Sequence, residues 1–161
     1  MNPQEKLIHQ FYTSFQNKDA EGMVACYHSD IVFKDPGFGE LKGEEAKNMW
    51  RMLLSRAQDL KIEYKDVKIE GETGKAHWEA YYTFTKTGRK VHNIIDASFR
   101  FRDGKIIAHE DVFDFWRWSR QALGIAGMLF GFTNFFQNKV QSQTRSMLKK
   151  YVEKTKNKGG I

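Results

Sequence analysis

The chain has one cysteine, Cys26, in 161 residues, so it can form no internal disulfide and no cysteine-based zinc site. It has two prolines, Pro3 and Pro36, one beginning a helix and one ending a strand. Its longest apolar run, Leu123 to Phe136, is interrupted by Thr133 and Asn134 and is shorter than the roughly 20 residues that span a bilayer. The N-terminus, Met1-Asn2-Pro3-Gln4-Glu5-Lys6, is polar and lacks a signal-peptide pattern. A cytoplasmic protein is therefore expected. No internal repeat and no linker is visible, which at this length points to one domain. The net charge of +6 is local. Lys139 to Lys158 holds seven basic residues against Glu153, while residues 1–138 balance at 19 against 19. A nucleic-acid binder would spread its cations over the fold. No nucleic acid and no membrane partner is expected, and the basic stretch reads as a solvated helix face.

What the sequence does have is aromatic mass: 13 Phe, six Tyr and four Trp, enough for a large apolar interior or pocket. Asn2-Pro3-x-Glu5 starts a helix with Leu7, Ile8, Phe11, Tyr12 and Phe15 on one face. Asp19 caps a short second helix through Met23, Val24 and Tyr27. Ile31 to Asp35 is a strand stopped by Pro36-Gly37-Phe38-Gly39. Gly43-Glu44-Glu45 opens a third helix with Ala46, Met49, Trp50, Leu53, Leu54 and Ala57 along one face. The period then changes to two. Leu60 to Glu70 switches parity near Lys65-Asp66, which predicts a bulge. Lys75 to Lys86 and Val91 to Arg102 alternate as paired strands, with Asn93 the polar exception in an apolar row. Gly104 to Trp118 reads as a last, central strand with Phe113, Phe115, Trp116 and Trp118 close together. Helices return after it, Thr133 capping a long one, and the tail from about Lys156 is expected to be unstructured.

The last strand carries His109 and Asp111 two residues apart, hence on one face. Which face depends on the turn. A two-residue Asp103-Gly104 turn pairs Arg102 with Lys105 and sends both outward. A three-residue Arg102-Asp103-Gly104 turn pairs Phe101 with Lys105, setting Ala97 opposite His109 and Ile95 opposite Asp111 on the apolar face. The residues alone leave both open.

Tyr27-His28-Ser29-Asp30-Ile31-Val32-Phe33-Lys34-Asp35-Pro36-Gly37-Phe38-Gly39 followed by Gly43-Glu44-Glu45 resembles the strand and helix start of ketosteroid isomerases and SnoaL-like polyketide cyclases. Asp103-Gly104-Lys105-Ile106 leading into His109-Glu110-Asp111-Val112-Phe113-Asp114 resembles the final strand of the same nuclear transport factor 2-like (NTF2-like) superfamily, which includes limonene epoxide hydrolase. The resemblance covers about residues 4 to 118. It implies an α+β cone, three N-terminal helices on a curved antiparallel sheet, over residues 1–118. Residues 119–161 would be a C-terminal helical extension packed on that domain. It also implies that Asp111 faces the cavity, at the position of the catalytic Asp of SnoaL-type cyclases, and that Asp35 stands where ketosteroid isomerases keep their general base. The isomerases' oxyanion Tyr and second Asp fall at Phe11 and Ala97. The epoxide hydrolase's Arg and second Asp fall near Trp78 and Ala80.

The candidate catalytic residues are thus Asp111, Asp35 and His109. Asn93, Tyr12, Trp78, Tyr82, Phe33, Ile95 and Phe113 are candidates for holding an apolar substrate. The expected chemistry is proton abstraction beside a carbonyl, or activation of a water, of isomerase, cyclase or epoxide-hydrolase type. No organic cofactor is expected for this chemistry, and no metal, because His109-x-Asp111 has no third ligand at fixed spacing. Each residue has a plainer reading. Asp35 can cap the Pro36-Gly37 turn, His109 and Asp111 can be a buried structural pair, and Asn93 can be a satisfied core amide. The whole domain can be a non-catalytic binding or dimeric interaction module. Ile94, Val112 and Trp116 on the outer sheet face suggest a homodimer. Leu123–Phe136 would cover the cavity mouth or form dimer surface.

Overall fold

The computed structural model describes residues 1–159. Helix α1, Pro3–Gln16, begins where Asn2 Oδ1 accepts the Gln4 N–H at 2.8 Å and buries Ile8, Phe11, Tyr12 and Phe15. Asp19 caps α2, Ala20–Val24, by accepting from Gly22 N at 2.9 Å. Helix α3, Glu44–Arg56, buries Ala46, Met49, Trp50, Met52 and Leu54. The strands are β1 (Tyr27–Asp35), β2 (Gly39–Lys42), β3 (Lys61–Glu70), β4 (Thr73–Phe84), β5 (Arg89–Arg102) and β6 (Lys105–Val112). They form one sheet in the order β2-β1-β6-β5-β4-β3. Every neighbouring pair is antiparallel except β1 and β6, which run parallel. This is the NTF2-like α+β cone. Short β2, which pairs with β1 just past the Pro36-Gly37 turn, is an element the sequence reading did not resolve.

Strand alternation decides what faces inward. Along β5, Val91, Asn93, Ile95, Ala97, Phe99 and Phe101 are all buried. The expected bulge in β3 is present: Asp66 has φ 57° and the β3–β4 register slips between Lys65 and Lys68.

The β5–β6 connection is the two-residue alternative at the turn, but the register beyond it follows neither alternative. Asp103 (φ 53°) and Gly104 (φ 74°) make a two-residue turn, with Arg102 opposite Lys105. Phe101 then pairs with Ile106, but Arg100 pairs with Ala108, so Ile107 is an inserted residue. The left-handed pair suits the twist of the flanking strands, and the bulge restores the inward parity that the tight turn would have lost. Phe99 consequently faces His109, and Ala97 faces Asp111.

The last strand stops earlier than expected. β6 ends at Val112, and Asp114 caps helix α4, Phe115–Leu123, by accepting from Arg117 N at 3.0 Å. Phe115, Ser119 and Ala122 are its buried residues, a helical spacing that the run of aromatics masks. Helix α5 (Ile125–Phe130) and helix α6 (Asn134–Lys158) follow, the latter capped by Thr133. Helix α6 includes Lys156–Lys158, where an unstructured tail was expected; the last two residues lie outside the described range.

Helix α6 is tied to the β1–β2 turn. Gln137 and Gln141 donate to Pro36 O, Thr144 donates to Gly37 O, and Arg145 donates to Phe38 O and Glu40 O. The C-terminal extension thereby holds the loop that follows Asp35. Among the described residues no helix is long and apolar enough to cross a membrane.

Candidate active site

The concave side of the sheet, α3 and α6 enclose a cavity of about 790 Å³. Most of its wall is apolar. Asp35, Tyr82, Asn93 and Asp111 are among the polar groups in it, and Trp78, Ile95 and Phe113 are among the apolar ones. Those seven sequence candidates therefore share one cavity. Three others do not line it. Tyr12 is fully buried behind Trp78 and stacks on Tyr64 at 4.9 Å. Phe33 is buried edge-on to Trp50 (5.5 Å) and His109 (5.1 Å). His109 is also enclosed and touches the cavity only through Asp111. The Leu123–Phe136 segment does not cover the cavity: Leu123 alone reaches it, and Val140, Gln143, Thr144 and Met147 of α6 supply that wall.

Asp111 is held by a relay. Its Oδ1 accepts from Trp78 Nε1 at 3.2 Å and lies 2.8 Å from His109 Nε2. His109 Nδ1 lies 2.7 Å from Tyr27 Oη, which accepts from Trp50 Nε1 at 2.9 Å. Asp111 fixes the tautomer: its carboxylate only accepts, so the neutral imidazole carries its hydrogen on Nε2, and Nδ1 accepts from the Tyr27 hydroxyl, whose oxygen takes the Trp50 N–H. Both bonds end on Oδ1. Oδ2 takes no donor from the described residues and is the carboxylate oxygen left for a cavity ligand.

Asp35 sits across the same space under different forces. Phe38 N–H donates to its Oδ1 at 2.6 Å, so the turn-capping role is real. Its side chain keeps some surface and lines the cavity. Burial pushes its carboxyl up to about 7; the Phe38 amide opposes that, and the nearby Asp111 charge adds to it.

Two more polar groups are poised. The Asn93 amide makes no hydrogen bond to the described residues although the side chain is buried at the wall, so it is not a satisfied core amide. Tyr82 Oη accepts from Trp118 Nε1 at 2.8 Å, which leaves its own proton to donate. Burial raises the Tyr82 pKa, so the phenol stays protonated.

Sequence reasoning did not single out Tyr27 and Trp50 as site residues. Tyr27 is 82 positions from His109, and the sequence spacing puts it on the short second helix, whereas α2 ends at Val24 and Tyr27 begins β1. Only the parallel pairing of β1 with β6, a non-local fact, brings them together.

Among curated proteins none matches this sequence. Solved structures do. A limonene epoxide hydrolase-like epoxide hydrolase from M. tuberculosis aligns at 19% identity, over 79% of this chain and 95% of its own, with a TM-score of 0.61. TerC, solved with polyporic acid, aligns at 20% identity over 70% of this chain and 92% of its own, TM-score 0.61. An NTF2-like protein of unknown function from Burkholderia pseudomallei aligns at 20%, over 71% and 92%, TM-score 0.63. At these identities the likeness is one of fold. The SnoaL-like domain family matches residues 8–109, more than half of the chain, and the protein belongs to that family.

Proposed function

We propose that the cavity binds an apolar small molecule and that its two carboxyls move protons on it without a cofactor. One observation carries this reading: Asp111 and Asp35 line one apolar cavity, one fixed by a relay, the other protonating near neutrality. Environments that set two carboxyls apart assign acid and base. Asp111 Oδ2 takes a proton from the carbon beside a carbonyl. The C–H electron pair becomes the new C=C bond, and the carbonyl π pair moves to oxygen, where Tyr82 O–H and Asn93 N–H stabilise it. Asp35, while protonated, returns a proton to the substrate. The same pair suits an epoxide, with Asp111 activating water and Asp35 protonating the opening oxygen. Steroid-type isomerisation with a tyrosine oxyanion donor is not the reading, since Phe11 and Ala97 occupy the positions that would serve it. His109 is a positioning residue in this scheme.

The experiment is deuterium incorporation into a panel of cyclic ketones in D2O, read by NMR, with ligand binding followed separately by thermal shift. Wild type should exchange at least one ketone that it binds. Asp111→Asn should bind that ketone within about threefold and exchange it roughly 100-fold more slowly or worse. Binding without any Asp111-dependent exchange or epoxide opening would leave a non-catalytic binding module.

The reading includes a homodimer through the outer sheet face. Ile94 and Val112 are 40% and 55% exposed on neighbouring strands there. Light scattering at micromolar concentration should give twice the chain mass, and Ile94→Asp should halve it; a wild-type monomer would refute this. A cytoplasmic setting fits the same reading, since Cys26 is a buried free thiol.

A further inference from the structure

Helix α5 is built inside out. Its buried residue is Gly127, and Gly131 just beyond it is buried too, while Ile125, Met128, Leu129 and Phe130 are 50% to 73% exposed. The reason is close approach. A Cβ at Gly127 would collide with the Ser119 carbonyl of α4, and one at Gly131 would meet the Ser119 side chain. Glycine lets α4 and α5 pack backbone to backbone, which turns the large side chains of α5 outward. Phe132 (67% exposed) and Phe135 (80%) continue the same apolar surface into α6. An amphipathic helix normally turns its apolar stripe to the core. Six large apolar side chains facing away from it mark a surface that something covers.

Charge selects the occupant. From Phe115 to Val152 the sequence has no Asp or Glu; of its cations, Arg117 and Arg145 bind backbone carbonyls of β5 and the β1–β2 turn, and Arg120 and Lys139 flank the apolar residues. Lys139 lies one turn beyond Phe135, and both are exposed on α6. At the other rim the Arg120 guanidinium lies 4.3 Å from the Trp116 ring, whose Nε1 donates to Met128 O at 3.2 Å. A Trp–Arg pair beside exposed Leu and Phe suits a boundary that is apolar on one side and anionic on the other. A two-fold pairing of this patch with itself would bring only cations, Arg120 and Lys139, to its rim, with no acid inside the patch between them.

We propose that α5 and the start of α6 form a docking surface for an anionic phospholipid bilayer. The exposed Leu, Met, Ile and Phe side chains enter the headgroup–acyl boundary, and the flanking cations meet lipid phosphate and carboxylate groups. Surface docking requires no spanning helix. It does not rest on the reading of the cavity, and its test uses no cavity ligand.

The test is flotation of the full chain with vesicles of phosphatidylcholine alone and of phosphatidylcholine with phosphatidylserine, at low and high salt. Wild type should float with the phosphatidylserine vesicles, roughly tenfold or more tightly than with phosphatidylcholine alone, and salt should weaken it. A Leu129→Ser, Phe130→Ser, Phe132→Ser variant should lose roughly tenfold or more in affinity with an unchanged unfolding midpoint, because these side chains support no core. If that variant folds poorly, Arg120→Glu with Lys139→Glu decides: it should abolish the phosphatidylserine preference. No flotation of wild type at low salt overturns the proposal, as does undiminished flotation of the folded variants. A wild-type oligomer that the serine variant dissolves, with no flotation, also overturns it and assigns the surface to a second copy of the chain.

Discussion

Asp35 holds a carboxyl where the fold opposes its charge, and stability must show it. Its folded pKa of about 7 lies above the ordinary 3.8. A raised carboxyl pKa means that the folded state keeps a proton which the unfolded chain releases. The stability it contributes is complete below about pH 4 and is lost as pH rises through about 7. Asp35→Asn should therefore leave stability nearly unchanged at pH 4 and raise it by about 2 kcal/mol at pH 8, an amount reduced from the full shift because cavity water reaches the group. Urea unfolding at the two pH values checks this; an equal effect at both would contradict it. Tyr27 is the second residue whose role is testable alone. Tyr27→Phe removes the donor to His109 Nδ1 and leaves Trp50 Nε1 without its acceptor, both buried. It should cost about 2–3 kcal/mol. Nitrogen-15 NMR of His109 should show the Nε2–H tautomer in wild type and a shifted tautomer balance in the variant. An unchanged spectrum would mean that Tyr27 merely packs.

At the level of elements, two junctions set the geometry. The first is the inserted Ile107 in β6, which turns Asp111 inward after a turn that would have turned it out. Either simple turn length was an incomplete choice, because the sequence does not reveal that the extra residue falls three positions beyond Gly104, inside the strand. The inward face of Asp111 was legible only through its resemblance to SnoaL-like final strands. Helix α4 was misread for a related reason: Phe115, Trp116 and Trp118 satisfy strand and helix patterns alike, and Asp114 reads as a cap only once β6 is known to end. By contrast α1, α2, α3 and the β3 bulge were legible, because Asn2, Asp19, Gly43 and the parity switch at Lys65-Asp66 are local signals. The second junction is the α4–α5 crossing. Gly127→Ala should destabilise the protein by about 3 kcal/mol, since the added carbon meets backbone that cannot move aside. Ala126→Gly, one residue away on the exposed side, should cost about 1 kcal/mol. Equal losses in the two variants would remove the close-packing account.

The whole molecule is a cone with its two cavity carboxyls, Asp111 and Asp35, inside and its unusual apolar surface outside. The N-terminal helices close one side of the cavity, and α6 closes another while gripping the turn after Asp35. The extension is thus structurally part of the site. Candidates on the alternating strands β4 and β5, Trp78, Asn93 and Ile95, could be placed on the cavity wall from the sequence, because period two fixes their face once one member is known. Tyr12 and Phe33 could not be separated from them, because depth behind the wall depends on the packing of rings such as Trp78 and Trp50 rather than on parity. The central claim is that Asp111 and Asp35 act together as base and acid. It is tested most directly by the pH dependence of ketone deuterium exchange and isomerisation in wild type, Asp111→Asn and Asp35→Asn. The account predicts exchange at least roughly 100-fold slower than wild type at every pH in Asp111→Asn. It predicts wild-type isomerisation that falls as pH rises through about 7, following the loss of the Asp35 proton, and no such limb in Asp35→Asn. Exchange by Asp111→Asn at the wild-type rate, or the same falling limb in Asp35→Asn, would contradict it.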